Sequence, residues 1–390
     1  METREVKLGD VAAVKGGKRL PKGTSLITTP NNHPYIRVRD LNGRRTLELD
    51  NSFEFVDDET QKTISRYIVD NGDIVLSIVG TIGLVAIIGK SLDKANLTEN
   101  CVKLTSLTGI DRDFLYYFLK SSFGQQEITR GTVGAVQAKL PIKNIQDIKI
   151  PLPDEFTQRK IAAILSSLDE KIEINQKIND NLQQQAQALY KHYFPYSVGD
   201  ELPDGWRIGS VGEIIEIHDS KRIPLSGAER AKMEKKTYPY YGAAALMDYV
   251  DDYIFDGKYL LLGEDGTVVD EAGYPILQYV WGQFWVNNHA HILTGKLGFN
   301  VESLYMLFKQ TPVKAIVTGA VQPKISQTNL RSIQVVIPPP KLLTDYNSQI
   351  EPLFALLRTN EETNKSLTAL RDTLLPKLMS GELDVSNIQL

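Results

Sequence analysis

Residues 153–194 read PDEFTQRKIAAILSSLDEKIEINQKINDNLQQQAQALYKHYF. A seam of apolar and amide side chains recurs here in alternating steps of four and three residues: Ile161, Leu165, Leu168, Ile172, Asn175, Asn179, Leu182, Ala186, Leu189 and Tyr193. This sustained period of 3.5 residues predicts a coiled-coil helix. The alternative is an ordinary amphipathic core helix. A length of about 38 residues, or about 57 Å, is unusual for such a helix in a globular domain.

The rest of the chain contains an internal repeat. Residues 8–11 and 18–21 (LGDV and KRLP) correspond to residues 211–214 and 221–224 (VGEI and KRIP) at a common offset of 203. The motif GAVQAKL at 134–140 corresponds to GAVQPKI at 319–325 at an offset of 185, and Asn144 and Asn329 follow at the same offset. The strand predicted at Cys101–Leu104 is matched with 289–292. Ordered matches of this kind indicate a duplication.

Each half of the repeat ends in prolines followed by a long helix. The second helix is predicted from about Thr344 towards Ser380, with this seam: Leu353, Leu357, Asn360, Asn364, Leu367, Leu370, Leu374 and Leu378. Pro376 is expected to kink or end the helix. Both seams contain two Asn residues, Asn175 and Asn179 in the first and Asn360 and Asn364 in the second, and buried Asn can fix the register of a coiled-coil pair.

These patterns predict an α+β fold with an internal pseudo-two-fold repeat. Two similar mixed α/β, strand-rich globular domains are separated by two long helices that pair as a coiled coil. The predicted bounds are 1–153 for the first globule, 154–195 for the first helix, 196–340 for the second globule, and 341–390 for the second helix and tail. Shorter helices are predicted at 8–14, 111–121, 211–217 and 301–310, among β-branched runs separated by Gly, Asn and Pro turns.

Composition is that of an ordinary soluble globular protein, with 42% hydrophobic and 24% charged residues among 390. No apolar run is long enough to span a membrane, and the N-terminus has no apolar segment typical of a signal peptide. The single cysteine, Cys101, suits a reducing compartment, so we expect a cytoplasmic protein. A net charge of −4 argues against a nucleic-acid binder that acts without partners.

Sequence signatures of catalysis and of cofactor binding are lacking. Gly89-Lys90-Ser91 has no preceding glycine-rich turn, and no Gly-x-Gly-x-x-Gly follows a strand. Asp169 and Glu170 lie on the surface of the predicted coiled coil, where a nuclease metal site is not expected. His289 and His291 alternate on a strand, but no third ligand is visible, which favours a structural role. We therefore predict no catalytic residue, metal or cofactor.

Matched loops supply candidates for binding a nucleic acid. Basic loops and an arginine cluster suit phosphates, and Gln and Lys side chains suit base edges. The candidates are Lys18, Arg19, Lys22, Arg37, Arg39, Arg44, Arg45, Thr81, Gln137 and Lys139 in the first half, and Lys221, Arg222, Tyr241, Thr267, Gln322 and Lys324 in the second. Solvated surface charges and a purely structural Gly-Ala-Val-Gln turn are the alternatives.

Taken together, these motifs resemble the specificity subunit of type I restriction–modification systems. The resemblance rests on LPDGW at 202–206, the twin Gly-Ala-Val-Gln motifs, the proline exits and the two long helices. The first half departs from this pattern, because it lacks a Leu-Pro-x-Gly-Trp start. The resemblance implies two target recognition domains, each reading one half of a bipartite double-stranded DNA site. It also implies that the two helices pack as an antiparallel coiled coil, in which Asn175 and Asn179 would face Asn360 and Asn364 and set the register. This coiled coil would set the gap and hold two methyltransferase subunits, which recruit restriction/translocase subunits, and the chain itself would not be catalytic.

Two other classes of function are compatible with the residues. One is a duplicated coiled-coil scaffold for protein assembly that does not read DNA. The other is a standalone DNA-modifying enzyme, which the missing catalytic motifs disfavour.

Overall fold

The computed structural model describes residues 2–41, 43–134, 137–319, 321–385 and 388. The chain divides into a first unit, residues 1–174 with 362–390, and a second unit, residues 175–361. Ala135, Val136 and Ala320 of the repeated motif lie outside the described residues. Among the described residues, no helix combines the length and the apolar character needed to cross a membrane.

The first unit is rich in short strands. Its elements in chain order are β1 (Arg4–Lys7), α1 (Leu8–Val11), β2 (Ala13–Gly16), β3 (Pro34–Ile36), β4 (Thr46–Leu47), β5 (Glu54–Phe55), α2 (Asp58–Ile64), β6 (Ile74–Ser77), β7 (Val85–Ile88), β8 (Asn96–Leu97), β9 (Cys101–Thr105), α3 (Arg112–Lys120), α4 (Ser122–Gly131), α5 (Ile142–Gln146), β10 (Lys149–Leu152) and the start of α6 (Glu155–Tyr193).

Three sheets organise the first unit. The largest has the strand order β2-β9-β6-β7-β4, a second has the order β5-β3-β8, and β1 pairs with β10. One face of the largest sheet packs against α3, whose residues Phe114–Leu119 are all buried. Ile161 and Leu165 of α6 complete the same apolar core. The first long helix is therefore attached to its globule by hydrophobic burial.

The second unit repeats this plan. After α6 come β11 (Arg207–Ser210), α7 (Val211–Ile214), β12 (Ile215–Ile217), α8 (Gly227–Ala231), β13 (Tyr238–Tyr241), β14 (Leu246–Val250), β15 (Phe255–Asp256), β16 (Tyr259–Gly263), β17 (Leu277–Val280), β18 (Gln283–Val286), β19 (Ala290–Gly295), α9 (Val301–Phe308), α10 (Gln327–Ser332), β20 (Gln334–Ile337) and α11 (Pro340–Ser380).

The sheets of the second unit have the strand orders β12-β19-β16-β17 and β14-β13-β18-β15, with β11 paired to β20. The first of these orders matches β2-β9-β6-β7, and the β11–β20 pair matches β1–β10. The duplication predicted from sequence is thus present in the strand pairing of both units, and the strand-rich mixed α/β fold class is confirmed.

Within each unit, a stretch of α6 packs antiparallel to a stretch of α11. In the first unit, Arg371 donates to Asp169 at 2.6 Å and Lys160 donates to the carbonyl of Val385 at 3.1 Å. In the second unit, Asn360 donates to Asn179 at 2.8 Å, and Gln349 donates to the hydroxyl of Tyr193. In both units, residue numbers fall along α6 as they rise along α11, which confirms the predicted antiparallel pairing.

The predicted seam is buried to different depths. Leu165, Asn175, Asn179, Leu182, Leu357, Asn360 and Asn364 are buried, whereas Leu168, Ile172, Leu189, Leu353, Leu367 and Leu374 are half-buried. Leu370, where the sequence pattern shifts register, is 47% exposed. The core of the pairing therefore contains more amide side chains than a leucine zipper does, which favours specificity of register over stability.

Three expectations about helices and alignment require correction. Helix α11 does not end at Pro376 but continues to Ser380, because Leu378 and Met379 are buried in the first unit's core and that burial outweighs a lost backbone hydrogen bond. The helices predicted at 8–14 and 211–217 are single turns, α1 and α7, each followed by a strand. The matching of Cys101 with His289 is shifted by one residue: Cys101 faces Ser77, whereas Ala290 faces the equivalent Gly263.

Candidate nucleic-acid interface

The residues on either side of the repeated Gly-Ala-Val-Gln motif of the first unit pair as the arms of a small hairpin. Val133 and Lys139 exchange two backbone hydrogen bonds of 2.9 Å across it. Gly134 has a φ of +98°, and a Cβ there would lie 2.6 Å from the carbonyl oxygen of Gln137. Glycine is therefore required at this position by the turn itself. The side chains of Gln137 and Lys139 are exposed.

This hairpin lies beside the turn that contains Gly80 and Thr81. Lys139 forms a β-bridge with Val79, and Leu140 donates its backbone N–H to Ile78 at 3.0 Å. The turn is closed by Ser77, whose hydroxyl donates to the Thr81 carbonyl at 2.6 Å. Three predicted residues, Thr81, Gln137 and Lys139, are thereby brought to one edge of the first unit although they are distant in sequence.

The second unit builds the same edge. Thr318 and Lys324 exchange backbone hydrogen bonds of 2.9 and 2.7 Å, and Gly319 has a φ of +87°. Lys324 forms a β-bridge with Asp265, and Gly266 donates to the carbonyl of Pro323 at 2.9 Å. Thr267, Gln322 and Lys324 are exposed there. The two repeated motifs are thus neighbours in each unit.

A repeated asparagine anchors the base of each hairpin. Asn144 donates to the carbonyl of Gly131 at 2.7 Å, and Asn329 donates to the carbonyl of Ile316 at 3.0 Å. Both bonds span 13 residues. The amide side chain therefore explains why Asn follows the motif at the same offset in both halves.

Two exposed cations of the first unit, Arg19 and Arg39, line an open cavity of about 420 Å³. The other lining residues are Leu20, Leu26, Tyr35, Arg37, Val38, Thr98, Glu99 and Asn100. The side chain of Arg19 is 81% exposed although it forms an ion pair with Glu99, and Arg39 is 63% exposed beside Glu54. Lys18, Lys22 and Arg44 are also exposed. Ion pairs this exposed are weak, so the cations remain available to a polyanion.

Three of the residues predicted to contact phosphate are largely buried. The guanidinium groups of Arg37, Arg45 and Arg222 are only 17%, 9% and 13% exposed. Arg37 bonds to Asp40 at 3.2 Å, and Arg45 to Asp113 at 2.5 Å. These three side chains are therefore less available to phosphate than the exposed cations are, because a buried cation in an ion pair loses much by leaving it.

The remaining two candidates, Lys221 and Tyr241, belong to the second unit. Lys221 is exposed at the end of a single 3₁₀ turn, Asp219–Lys221. Tyr241 is half-buried, and its ring packs edge-on against Phe284 at a centroid distance of 5.9 Å. The sheet that carries Tyr241 therefore holds most of this ring in place.

A buried charge network that sequence reasoning missed underlies the second unit's edge. His291 is fully buried, with Nδ1 2.6 Å from Oδ2 of Asp219 and Nε2 2.8 Å from the carbonyl oxygen of Ile325. Arg222 donates to Glu264 at 2.6 Å, and Glu264 accepts from Lys324 at 3.2 Å. The acidic residues beside the repeated motifs were the available signal.

The network does not form a metal centre. Asp219, Glu264 and His291 lie close enough for their ligand atoms to share an ion, but both ring nitrogens of His291 already have partners. The Arg222 guanidinium also lies 3.5 Å from Asp219, where it would repel a cation. Burial raises the pKa of the Asp219 carboxyl, but the hydrogen bond and charge of His291 outweigh it, so that pKa lies below its ordinary value. His289 has its own partner, Asp265.

Comparison with known proteins gives the family. The model of a family described as "Type I restriction modification DNA specificity domain" matches residues 1–184 and 203–368, with one match for each half of the repeat. The MjaIX specificity subunit of Methanocaldococcus jannaschii is 24% identical, with 98% of this chain and 94% of that protein covered. The MjaVIII specificity subunit of the same organism is 27% identical, with 84% and 82% covered.

A solved structure shares the fold. The S subunit of a type I restriction–modification system from M. genitalium has a TM-score of 0.60 and 19% identity, with 96% of this chain and 95% of that chain covered. Two matching domains, an antiparallel pair of long helices and relatives named as specificity subunits support a role in DNA specificity rather than in catalysis. This chain belongs to the DNA specificity subunit family of type I restriction–modification systems.

Proposed function

We propose that each unit reads one half of a bipartite DNA site through its hairpin and the adjoining turn. The observation that carries the proposal is the duplicated edge: Thr81, Gln137 and Lys139 in the first unit, and Thr267, Gln322 and Lys324 in the second. A Gln amide can bond adenine at two positions, Lys donates to guanine or phosphate, and Thr contacts several bases. Residues 1–153 and 196–340 would be the two target recognition domains.

Phosphate contacts would come from the exposed cations around these edges. We assign them to Lys18, Arg19, Lys22, Arg39 and Arg44 in the first unit and to Lys221 in the second, and Tyr241 borders the second site. Because the net charge is −4, the chain is a weak binder of DNA on its own in this proposal. Partner subunits would close around the duplex and supply further phosphate contacts.

The long helices would set the gap between the half-sites and hold two methyltransferase subunits, through which restriction/translocase subunits join in the cytoplasm. Ile174 and Ile178, one turn apart on α6, are 51% and 38% exposed. Apolar side chains exposed on consecutive turns of a helix suit a protein partner. We assign this part of α6 to docking of the methyltransferase.

Exchange of residues 1–153 for the equivalent domain of another family member tests the function. The chimaera and the parent chain are each assembled with the cognate methyltransferase subunit, and methylated positions are mapped on genomic DNA. One half-site should change while the other half-site and the gap stay the same. If the parent complex methylates no genomic site and causes no gel shift on any genomic fragment, the result would favour a protein scaffold instead.

A matched control replaces the same residues with a recognition domain that has the same target. This chimaera should methylate the parental sites. A chimaera of the first kind that changes both half-sites would contradict the assignment of one half-site to each globule.

A further inference from the structure

We propose that Val321 is a specificity-determining residue that contacts the C5 methyl group of a thymine in the half-site read by the second unit. The inference rests on the proposed function of the hairpins. It adds an apolar contact to the polar contacts assigned to Thr267, Gln322 and Lys324. Val321 lies midway between Thr318 and Lys324, the paired arms of the second hairpin.

The side chain of Val321 is unusually exposed for its type. It is 99% exposed, and no other large apolar side chain among the described residues exceeds 63%. Turns of this kind usually carry Gly, Asn, Asp, Ser or Pro, because those residues suit the turn backbone or hydrogen-bond to it. A β-branched apolar side chain does neither, and this one adds almost nothing to the buried core. Packing of the second unit therefore does not explain the valine.

The valine also recurs in the repeat. Val136 has the same place in the first motif, at the offset of 185 that relates the two Gly-Ala-Val-Gln sequences. Two other repeated residues have a role inside the unit, because the turn requires Gly319 and the base of the hairpin is anchored by Asn329. A repeated valine whose side chain is almost wholly exposed is suited instead to a contact outside the chain.

A second exposed apolar segment borders the same recognition edge. Residues 242–247, which run from the β13–β14 connection into β14, read GAAALM, and Met247 is 55% exposed. An added Cβ at Gly263 would lie 3.1 Å from the carbonyl oxygen of Thr267 and 3.3 Å from that of Ala243. The β13–β14 connection and the Thr267 turn therefore meet at this glycine. Exposed apolar atoms at the second edge are thus not confined to the hairpin.

The group that suits an exposed apolar side chain on such an edge is the thymine methyl. In the major groove, the base edges present hydrogen-bond donors and acceptors, and thymine adds an apolar group, its C5 methyl. Gln322 follows Val321 directly and suits adenine, which pairs with thymine. Neighbouring side chains of the hairpin would then read the two bases of one A·T pair or of two adjacent A·T pairs.

The test replaces each thymine of the mapped second half-site, one at a time, by deoxyuridine, which pairs with adenine but lacks the C5 methyl. The rate of methylation is measured for the full chain assembled with its methyltransferase subunit, and the chimaera in residues 1–153 identifies the second half-site. For the parental complex, at least one replacement should slow methylation about threefold to tenfold, as expected for the loss of one buried methyl group. If the parental complex tolerates deoxyuridine at every position, or if the second half-site contains no thymine, the proposal is overturned.

A variant assigns the contact to Val321. Val321→Ala should slow methylation of the thymine duplex about threefold to tenfold, and the sensitive deoxyuridine replacement should then have no further effect. Deoxyuridine in the first half-site should act equally on both complexes, because Val321 belongs to the second unit. If Val321→Ala slows methylation of the thymine and deoxyuridine duplexes equally, as for a wedge between base pairs or a contact with a partner subunit, the proposal is also overturned.

Val198→Ala is the matched control for the variant. Val198 is 46% exposed, precedes β11 and lies outside the hairpin and the adjoining turn. This complex should keep the parental response to deoxyuridine at every position. A response that changes as it does in Val321→Ala would contradict the assignment of the contact to the hairpin.

Failure of the proposed function has a different signature. In that case the parental complex shows no preference for a bipartite site on any duplex. A bipartite preference that is indifferent to the thymine methyl groups of the second half-site would leave the proposed function intact and remove Val321 from it.

Discussion

Asn360 and Asn179 hydrogen-bond to each other through their side chains, with Nδ2 of Asn360 2.8 Å from Oδ1 of Asn179, across 181 residues of sequence. Both residues are less than a tenth exposed. A buried amide pair is satisfied in one register and unsatisfied in others, so this contact selects how α6 and α11 align within the second unit.

Removing one amide of this pair should destabilise the protein. Asn179→Ala leaves Asn360 buried without its partner, and we expect a loss of about 1–3 kcal/mol in the free energy of unfolding, measured with urea. Asn179→Leu combined with Asn360→Leu should recover most of this loss, because a packed leucine pair contains no unsatisfied polar group. Gln187→Ala, at an exposed position of α6, is the control and should change little. A double variant as unstable as the single one would refute the register role.

Shortening both helices together should change the gap between half-sites. Deletion of residues 171–177 and 363–369 keeps the Asp169–Arg371 and Asn179–Asn360 contacts and removes one heptad from each helix. Seven residues span about 10 Å, which corresponds to about three base pairs of DNA. Mapping of methylated sites should show a gap shorter by about that number. Unchanged gaps with altered half-sites would contradict the spacer role.

Gly319 should be sensitive to a single methyl group. In Gly319→Ala, the new Cβ would lie 2.2 Å from the backbone oxygen of Gln322, so the hairpin must move. We expect about 1–2 kcal/mol of strain from the left-handed backbone and a selective loss of discrimination at one half-site. Gly282→Ala is the matched control, since its φ is +76° but its Cβ would meet nothing within 4 Å. Equal effects of the two variants on discrimination would argue against a recognition role for the hairpin.

The junction of the first globule with the helices depends on a buried carboxylate. Asp169 accepts from Arg371 at 2.6 Å and from the hydroxyl of Tyr117 at 2.7 Å. Burial raises the pKa of the Tyr117 hydroxyl and the charge of Asp169 adds to this, so the hydroxyl stays protonated and donates.

Arg371→Met should cost about 3–5 kcal/mol of unfolding free energy, because it leaves a buried charge without its cation. Tyr117→Phe should cost about 1–2 kcal/mol. Asp372→Asn removes the other ion-pair partner of Arg371. Because the side chain of Asp372 is 58% exposed, this change should cost less than about 1 kcal/mol of unfolding free energy. Thermal or urea unfolding measures all three. If Asp372→Asn were the most destabilising change and Arg371→Met the least, the buried contacts of Asp169 would not be what attaches the first globule to the helices.

Sequence periodicity was sufficient to predict the long helices, because each contains a seam that recurs over several heptads. The matching motifs indicated the repeat, and they match in part because Gly134 and Gly319 meet the same steric requirement of the same turn. At Pro376 the sequence left a kink and an end open, and the helix does not end there, because the local rule about backbone hydrogen bonds takes no account of the burial of Leu378 and Met379.

Residue type and spacing, by themselves, determined the duplicated architecture, the two long coiled-coil helices and the candidates Gln137, Lys139, Gln322 and Lys324. Only the tertiary structure decided that each hairpin lies against a Gly-Thr turn, that Arg37, Arg45 and Arg222 are held in internal ion pairs, and that His291 joins two distant segments. The physical reason is range. Helical periodicity and turn geometry depend on a few neighbouring residues, so they can be predicted from the local sequence. The partner of a buried charge depends on how the chain packs across tens to hundreds of residues.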